Sequence, residues 1–436
     1  MQPLEHTLPE PQYLNAKIGF IIFFPFEFYV LKNVYKELPE KAEFIIDGGR
    51  SLEIVQPEEV LRATEALLKK NGAPFRTFKH DMYNKKEEAE NFFKDYKVLI
   101  SLRFSGSLLL PCNSDKRKVH LNYGAGKEVS MFALHQRHWD LILCLGPRSH
   151  NILQYYTHAP IIGYPKFDDW FNDTVDSSSI TQKLDARKKT ILYLPTHGDL
   201  SSIEQLAEPL ENNSSEYNVI VKLHYYTSHI EPARKALFRN KNIFLFQDDE
   251  DLLPLLKIAD VVVSDNSSAI FDAILADKPV AVTNFLSQEY IDVTHKKIKQ
   301  YPFRPVEGAL TYSQSIEQKI KKEKRIITIE NPEKFREAIK DAIKDAPHFK
   351  AQRQKLREEV FSFNDGKCGA RAAQEIEKLI LLQELPKKPI LYHAFEAARA
   401  LNMHNIEANS IELTRIKKIR NLPLFSKFLA IIKEFF

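Results

Sequence analysis

An apolar, β-branched run that stops at a cluster of small polar residues constrains the fold of this chain most. The run Val261-Val-Val leads into the polar loop Ser264-Asp-Asn-Ser-Ser268, and apolar residues at helical spacing and a second apolar run follow. This order predicts a strand, a loop, a helix and a second strand of a parallel sheet. The loop presents hydroxyls and backbone N–H groups where a helix begins, which favours a phosphate-bearing ligand.

The same alternation occurs in both halves of the chain. In the first half we predict strands over 17–24, 42–47, 97–102, 117–122 and 140–145, and helices over 57–70 and 86–95. In the second half we predict strands over 190–194, 218–223, 243–246, 260–264 and 279–283, and helices over 201–210, 230–239, 250–258 and 267–276. Strands that alternate with helices imply parallel sheets that bind ligands beyond the carboxyl ends of their strands.

A polar segment separates the two halves of the chain, and a helical region follows the second half. Residues 172–189 lack apolar periodicity and read as a linker. From about residue 315 the chain reads as helical, with segments at 332–345, 350–360, 369–385 and 391–402. We therefore predict an α/β protein with two Rossmann-like domains that face a cleft. The predicted units are an N-terminal domain (1–171), a linker (172–189), a C-terminal domain (190–345) and a helical extension (346–436).

Composition narrows the class of protein. The 436 residues are 44% hydrophobic and 28% charged, as is usual for a soluble globular protein. The cysteines Cys112, Cys144 and Cys368 are far apart and odd in number, which indicates a reducing compartment and no metal-ligand spacing. Residues 1–15 do not resemble a secretory signal, and Pro25 and Glu27 interrupt the first apolar run, so we expect a cytoplasmic protein.

The positive charge is concentrated at the end of the chain. Residues 411–436 contain six basic and two acidic residues, a net charge of +4 that equals the net charge of the whole chain. These cations alternate with large apolar residues, which predicts an amphipathic helix on the inner face of the membrane. The alternative is a terminal helix that packs on the body or on a second subunit. We expect no nucleic-acid partner.

Polar residues follow two further strands of the second half. Thr196 and His197 come after the strand at 190–194, and Lys222 and His224 lie two residues apart at the end of the next strand. A cation beside an imidazole suits an anionic ligand. The alternatives are an ordinary turn before a helix and a strand-end histidine bonded to backbone.

In the first half, a strand ends at Tyr123-Gly-Ala-Gly-Lys-Glu128. This loop is not the dinucleotide fingerprint, because its third glycine and its acidic partner are missing. We predict that Gly124 and Gly126 form a loop of close approach that faces the second domain. The acidic stretch Asp249–Asp251 is better explained by the start of a helix, and we predict no metal site.

These motifs together resemble the CDP-glycerol glycerophosphotransferase family of teichoic-acid and capsule polysaccharide synthesis, which has the glycosyltransferase-B (GT-B) architecture. The resemblance covers roughly residues 115–285. It rests on the following segments: Tyr193-Leu-Pro-Thr196, Lys222-Leu-His224, Asp251-Leu-Leu, Ala259-Asp260, Ser264 to Asp272, Lys278-Pro279, and Gly163-Tyr-Pro165 with Asp168.

The resemblance implies roles for individual residues. It implies a nucleotide-activated donor, no tightly bound cofactor, and a polysaccharide or lipid-linked acceptor. The donor-binding residues that it implies are Thr196, Lys222, His224, Ser267 and Ser268, and we add His197, Ser264, Asp265 and Asp272, which lie in or next to the same segments. We predict that Gly124, Gly126, Lys127 and Asp168 bind the acceptor.

The chain departs from the family pattern at the position of the candidate catalytic base. The family usually has a histidine, the candidate catalytic base, where this chain has Tyr123. A neutral tyrosine, with an ordinary pKa of about 10, is a poor base at pH 7. Either Glu128 or His120 substitutes, or the acceptor differs, or the chain has changed its chemistry. In addition, Tyr225 replaces a proline, and Asn266 stands where the family often has tyrosine.

The sequence therefore predicts a transferase that passes a (phospho)glycerol, polyol or sugar group, with CDP-glycerol favoured as donor, to a hydroxyl of a cell-surface polymer. The predicted catalytic residues are His224, Glu128 and Tyr123. The alternatives are a UDP- or CMP-sugar transferase, a nucleotide-sugar epimerase of the same fold, and a non-catalytic membrane-associated assembly partner. A homo-oligomer is compatible with each.

Overall fold

The computed structural model of the chain describes residues 17–38, 40–49, 57–126, 128–132, 134–238, 242–247, 249–285, 315–385, 387–389 and 392–393. The predicted tail helix at 411–436, nearly all of the predicted helix at 391–402, and Lys127 lie outside these residues. No helix among the described residues is long and apolar enough to cross a membrane.

Two six-stranded sheets, parallel throughout, form the two halves. The strands of the first sheet are β1 (Lys17–Ile22), β2 (Ala42–Asp47), β3 (Phe75–Phe78), β4 (Tyr96–Ser101), β5 (Arg117–Leu121) and β6 (Leu141–Leu143). Those of the second are β7 (Thr190–Leu194), β8 (Asn218–Lys222), β9 (Ile243–Phe246), β10 (Val261–Ser264), β11 (Val280–Thr283) and β12 (Ile327–Ile329).

The strand orders are β3-β2-β1-β4-β5-β6 and β12-β11-β10-β7-β8-β9. Read from β9, the second order repeats the first, and both are the doubly wound order of a Rossmann domain. The predicted α/β class with two Rossmann-like domains is therefore confirmed. In such sheets the binding crevice lies where the strand order reverses, next to β1 and β4 in the first domain and next to β7 and β10 in the second.

Helices cover both faces of each sheet. In the first half they are α1 (Pro25–Tyr35), α2 (Pro57–Lys70), α3 (Lys86–Phe93), α4 (Glu128–Met131), α5 (Pro147–Leu153), α6 (Asp168–Phe171) and α7 (Ser178–Thr181). In the second half they are α8 (Ile203–Asn213), α9 (Tyr225–Ile230), α10 (Pro232–Lys235), α11 (Leu252–Ile258), α12 (Ala269–Leu275), α13 (Ile316–Lys322), α14 (Phe335–Lys344), α15 (Pro347–Val360) and α16 (Cys368–Leu381).

The C-terminal helices connect the two halves. α15 packs against α5 of the first domain and α12 of the second, and α16 packs against α1. One apolar cluster accordingly runs through both domains and these helices, from Ile18 in β1 to Val262 in β10 and Leu379 in α16. The outer face of each sheet has its own cluster. This continuous core fixes how the two sheets face each other.

The structure corrects several predicted elements. Strands β3 and β12 and helix α5 were not predicted, and the stretch after residue 315 contains β12 as well as helices. The helix predicted over 230–239 is instead α9 and α10, which meet at Pro232. Proline lacks the N–H that would continue the helix, so a new helix begins there. The predicted linker 172–189 includes the short helix α7.

Candidate functional site

Three neighbouring strands of the second sheet bring the predicted ligand-binding residues to one edge. β7 lies between β8 and β10, and Ser264 at the end of β10 is paired with Leu194 at the end of β7. Tyr193 of β7 is paired with Val221 of β8. The residues that follow these strands, Thr196 and His224 among them, therefore leave the sheet at the same edge, beside the first domain.

Two buried residues of the polar loop, Ser264 and Asp265, hold it in place through hydrogen bonds. Ser264 donates from Oγ to the Leu194 carbonyl at 2.6 Å, and both Ser264 and Asp265 are inaccessible to solvent. The Asp265 carboxylate accepts from the Thr196 N–H at 2.8 Å and from the N–H and Oγ of Ser202, each at 3.0 Å. Burial raises the pKa of Asp265, and these donors oppose that shift. Ser264 and Asp265 thus hold the loop 264–268 in place, and the structure does not favour them as ligand contacts.

The next two serines of the loop, Ser267 and Ser268, come directly before helix α12. Helix α12 begins at Ala269, whose N–H donates to Ser267 Oγ at 3.3 Å, while the Ser268 side chain makes no capping bond. Helix capping therefore accounts for the Ser267 side chain alone. Thr196 is 1% exposed, and its Oγ1 has no hydrogen-bond partner among the described residues. Ser268 is thus the candidate hydroxyl for a ligand, whereas Thr196 Oγ1 lacks a partner among the described residues but is itself buried.

The Gly-x-Gly loop of the first domain contacts this serine directly. A Cβ built on Gly126 would lie 3.0 Å from Ser268 Cα, and one built on Gly124 would lie 3.4 Å from Ser268 Cβ. The first distance is too short for a side chain without a local shift. The geometry agrees with the predicted close approach of this loop to the second domain.

Two histidines stack at the ends of β7 and β8. The ring centroids of His197 and His224 are 4.2 Å apart, and the rings are 24° from parallel. His224 caps α9, because its Nδ1 accepts the Tyr226 N–H at 3.2 Å. An Nδ1 that accepts is unprotonated, so neutral His224 carries its proton on Nε2 and can donate it. Lys222 donates to the Gln247 carbonyl, which directly follows β9.

The residues predicted to replace the missing base are buried. Glu128 is inaccessible to solvent, is paired with the Arg148 guanidinium through both carboxylate oxygens and accepts the Ile316 N–H at 2.9 Å. His120 stacks on Trp139 at 5.0 Å, and burial lowers its pKa to about 3. Neither arrangement leaves a basic atom open to a substrate, so the structure does not favour Glu128 or His120 as the base.

Tyr123 is half-buried at the cleft, with its ring 6.3 Å from Phe26. Its carbonyl accepts the Tyr164 hydroxyl at 2.5 Å. Of the three predicted catalytic residues, His224 and Tyr123 thus lie at the cleft, whereas Glu128 joins α4 to α13.

Two further residues predicted to contact ligands, Asp168 and Asp272, form hydrogen bonds or an ion pair within the protein. Asp168 accepts the N–H groups of Cys368 and Gly369, at 2.9 and 2.6 Å, at the start of α16. Asp272 pairs with Lys166 at 2.9 Å, a contact that joins the two domains. Burial raises the pKa of both carboxyl groups. The Gly-Tyr-Pro segment therefore connects the domains and the C-terminal helices, and the structure does not favour Asp168 or Asp272 as ligand contacts.

The sequence interpretation missed Arg103, which lies two residues after the end of β4. Its Nε and Nη2 donate to Glu27 Oε1 at 3.1 and 2.8 Å, and its Nη1 donates to the Tyr225 hydroxyl of the second domain at 2.8 Å. The rule that singled out Lys222, a cation at the end of an apolar strand, applies equally to Arg103 and would have found it.

The acidic stretch 249–251 lies at the start of a helix, as predicted. Asp251 Oδ1 accepts the Leu253 N–H at 3.2 Å, and Asp251 Oδ2 lies 3.2 Å from Lys32 Nζ. No group of three or more His, Cys, Asp or Glu side chains within the described ranges is arranged to hold a metal ion.

The facing Rossmann-like domains and the cleft between them define a GT-B protein, and solved structures share this fold. The wall teichoic acid polymerase TagF matches with a TM-score of 0.54 at 16% identity, over 85% of this chain and 91% of that one. The S. aureus MnaA–UDP co-structure matches with a TM-score of 0.53 at 15% identity, over 85% and 99%.

Sequence comparison adds a family to which the chain is similar. Residues 113–325 match the model of the CDP-glycerol:poly(glycerophosphate) glycerophosphotransferase family. The teichoic acid glycerol-phosphate primase of Bacillus spizizenii is 29% identical over 136 residues, which are 29% of this chain and 34% of the relative. The similarity thus spans about a third of that relative's length.

Proposed function

We propose that the chain transfers glycerol phosphate from CDP-glycerol to a hydroxyl of a teichoic-acid-like or capsule acceptor. The observation that carries the proposal is the meeting of Thr196, His224 and Ser268 at the carboxyl edge of the second sheet, within the stretch that matches the family. Lys222 adds a cation, and His224 adds an Nε2 proton, which suit the phosphates of a nucleotide donor.

In this reaction the acceptor oxygen attacks the phosphorus that bears the glycerol. A new P–O bond forms, the P–O bond of the pyrophosphate breaks, the electron pair leaves with CMP, and the hydroxyl proton of the acceptor passes to solvent water. Phosphoryl transfer depends mainly on positioning and on stabilisation of charge on the phosphate oxygens. We infer that His224 donates from Nε2 to the departing phosphate and that Lys222 neutralises part of its charge.

The acceptor side of the proposal rests on the first domain. We propose that Tyr123, Gly124, Gly126 and Lys127 border the acceptor site and that Tyr123 orients the attacking hydroxyl. Arg103 joins this set because its guanidinium reaches Tyr225, next to His224. A lipid-linked acceptor, peripheral membrane contact through residues 411–436, and a homo-oligomer remain predictions.

Thermal unfolding tests the donor class. We expect CDP and CDP-glycerol to raise the unfolding midpoint more than UDP, CMP or UDP-N-acetylglucosamine at equal concentration, because a ligand that binds only the folded state stabilises it. At 100 times the dissociation constant the gain is about 2.7 kcal/mol. Preference for UDP species would instead support a sugar transferase or an epimerase, and no shift with any of the five would support the non-catalytic alternative.

A further inference from the structure

A tyrosine of the second domain packs against aromatic rings of the first. The ring centroid of Tyr225 is 4.5 Å from that of Phe24 and 4.7 Å from that of Phe26, and the rings of Tyr225 and Phe26 are 15° from parallel. Phe24 also belongs to a small buried cluster against which Tyr225 and Tyr226 pack. The start of α9 therefore rests on residues 23–26 of the first domain.

Arg103 adds a polar bond to this contact. Its Nη1 donates to the Tyr225 hydroxyl at 2.8 Å, and its Cζ lies 4.8 Å from the centroid of the Tyr225 ring. A guanidinium group stabilises a hydroxyl acceptor and an aromatic ring in this way. Because Arg103 belongs to the first domain and Tyr225 to the second, both interactions require the two domains to face each other.

A buried carboxylate fixes Arg103 itself. The Glu27 side chain is 3% exposed, and its Oε1 accepts from two nitrogens of the Arg103 guanidinium. Its Oε2 accepts the N–H groups of Phe23 and Phe24, at 2.6 and 3.0 Å. A planar guanidinium that is held through two nitrogens loses most of its freedom to turn. The Arg103 Nη1 group is therefore aimed at Tyr225 by a partner that is already in place.

Tyr225 in turn determines how His224 is presented. His224 is the N-cap of α9, Tyr225 is the first residue of this helix, and the helix has six residues. Neighbouring contacts fix the position of so short a helix, because its own hydrogen bonds do not suffice. The ring centroid of His224 is 4.1 Å from that of Tyr225 and 4.2 Å from that of His197. A shift of Tyr225 would thus displace the His224 imidazole and its capping bond.

The identity of residue 225 makes this contact necessary. Tyr225 stands where the family pattern has a proline. Proline is favoured at the first position of a helix because its φ angle is fixed in advance. Tyrosine lacks that restraint, and the bond from Arg103 supplies another one from outside the helix.

We propose that Arg103 is a positioning residue for the transfer reaction, which fixes Tyr225 from the first domain and thereby orients the His224 imidazole toward the phosphates. His224 would then be set for reaction only when the two domains are apposed. The catalytic consequence rests on the proposed function, whereas the orientation of His224 is measured without turnover.

Tyr225→Phe tests the proposal, because it removes the hydroxyl bond but keeps the ring and the pair of Glu27 with Arg103. We expect kcat for CMP release to fall about tenfold, since a misplaced donor costs most in the transition state. The dissociation constant of CDP, measured by isothermal titration, should change less than about twofold. A loss of CDP affinity as large as the fall in kcat would overturn the positioning role.

Tyr29→Phe is the matched control. The Tyr29 hydroxyl, on α1, donates to the Asp249 carbonyl of the second domain at 2.8 Å, so this variant also loses a tyrosine bond between the domains. It should keep kcat within about twofold of the wild type, because Tyr29 lies outside the contacts that hold His224. An equal fall of kcat in Tyr29→Phe and Tyr225→Phe would overturn the specific role of Arg103.

A second variant tests the arginine. Arg103→Lys keeps a cation beside Glu27 but lacks the planar fork that reaches two partners. We expect kcat to fall as in Tyr225→Phe. Since both changes remove the same hydrogen bond, the double variant should be within about twofold of the slower single variant. Additive losses in this double-mutant cycle would overturn the coupling between Arg103 and Tyr225.

The orientation of His224 provides a test that fails independently of the proposed function. Long-range proton–nitrogen NMR of protein with isotope-labelled histidine shows which ring nitrogen is protonated, and His224→Ala assigns the signal. At about pH 8, where an ordinary histidine is neutral, the wild type and Tyr29→Phe should show Nδ1 unprotonated and Nε2 protonated. Tyr225→Phe should show partial protonation of Nδ1, because the capping bond is weakened. A His224 signal unchanged in Tyr225→Phe would overturn the proposal.

Discussion

Replacement of His224 by alanine should abolish detectable transfer, a loss of at least about 10²–10³-fold, without unfolding the protein. The reason is that His224 accepts the Tyr226 N–H at Nδ1 and so presents Nε2–H, a fixed donor, at the edge where the phosphates are proposed to bind. The measurement is the rate of CMP release from CDP-glycerol, with circular dichroism to verify the fold.

His158→Ala is the matched control, because the His158 side chain is 53% exposed and lies on the first domain. This control should keep the wild-type rate. Turnover that survives in His224→Ala would show that the assignment of His224 is wrong, whereas loss of both turnover and fold would show a structural role through the cap of α9.

Replacement of Arg148 by methionine should cost about 3–5 kcal/mol of unfolding free energy, because it leaves the buried Glu128 carboxylate without its ionic partner. Arg148 also reaches Glu359 of α15 at 3.3 Å, so the change loosens the contact between the first domain and the C-terminal helices. Chemical denaturation of the variant and the wild type measures the difference.

Two comparisons separate this structural role from catalysis. Arg187→Met removes a pair whose arginine side chain is 88% exposed, and it should change stability little. Glu128→Gln should lower stability together with activity. A Glu128→Gln variant with wild-type stability and no turnover would contradict the structural role and restore Glu128 as the base.

The sequence predicted the edge of the site because strand ends have a local signal. An apolar β-branched run followed by polar residues identifies the end of a buried strand, and the parallel order brings those ends together. His224, Thr196 and Ser268 were found in this way. Strand β12 was not predicted because it is only three residues long and follows a lysine-rich helix. Three residues carry too little apolar pattern to identify a strand.

The predicted site residues that the structure does not favour have partners far away in the sequence. Asp168 and Glu128 look like exposed acids at loop ends, yet their partners Gly369 and Ile316 are 201 and 188 residues away in the chain. Local sequence cannot show which backbone N–H will reach a carboxylate after the domains pack. Asp265 is similar, since its bond to Thr196 spans 69 residues and depends on β7 and β10 being neighbours.

The measurement that tests the central claim most directly is product formation by the wild-type chain. CDP-glycerol is incubated with the protein and a teichoic-acid-type acceptor, and CMP and the extended acceptor are quantified by mass spectrometry. The proposed function predicts equal amounts of CMP and of added glycerol phosphate, both dependent on the acceptor. CDP-glycerol that stays intact while a UDP- or CMP-sugar is consumed under the same conditions would contradict it.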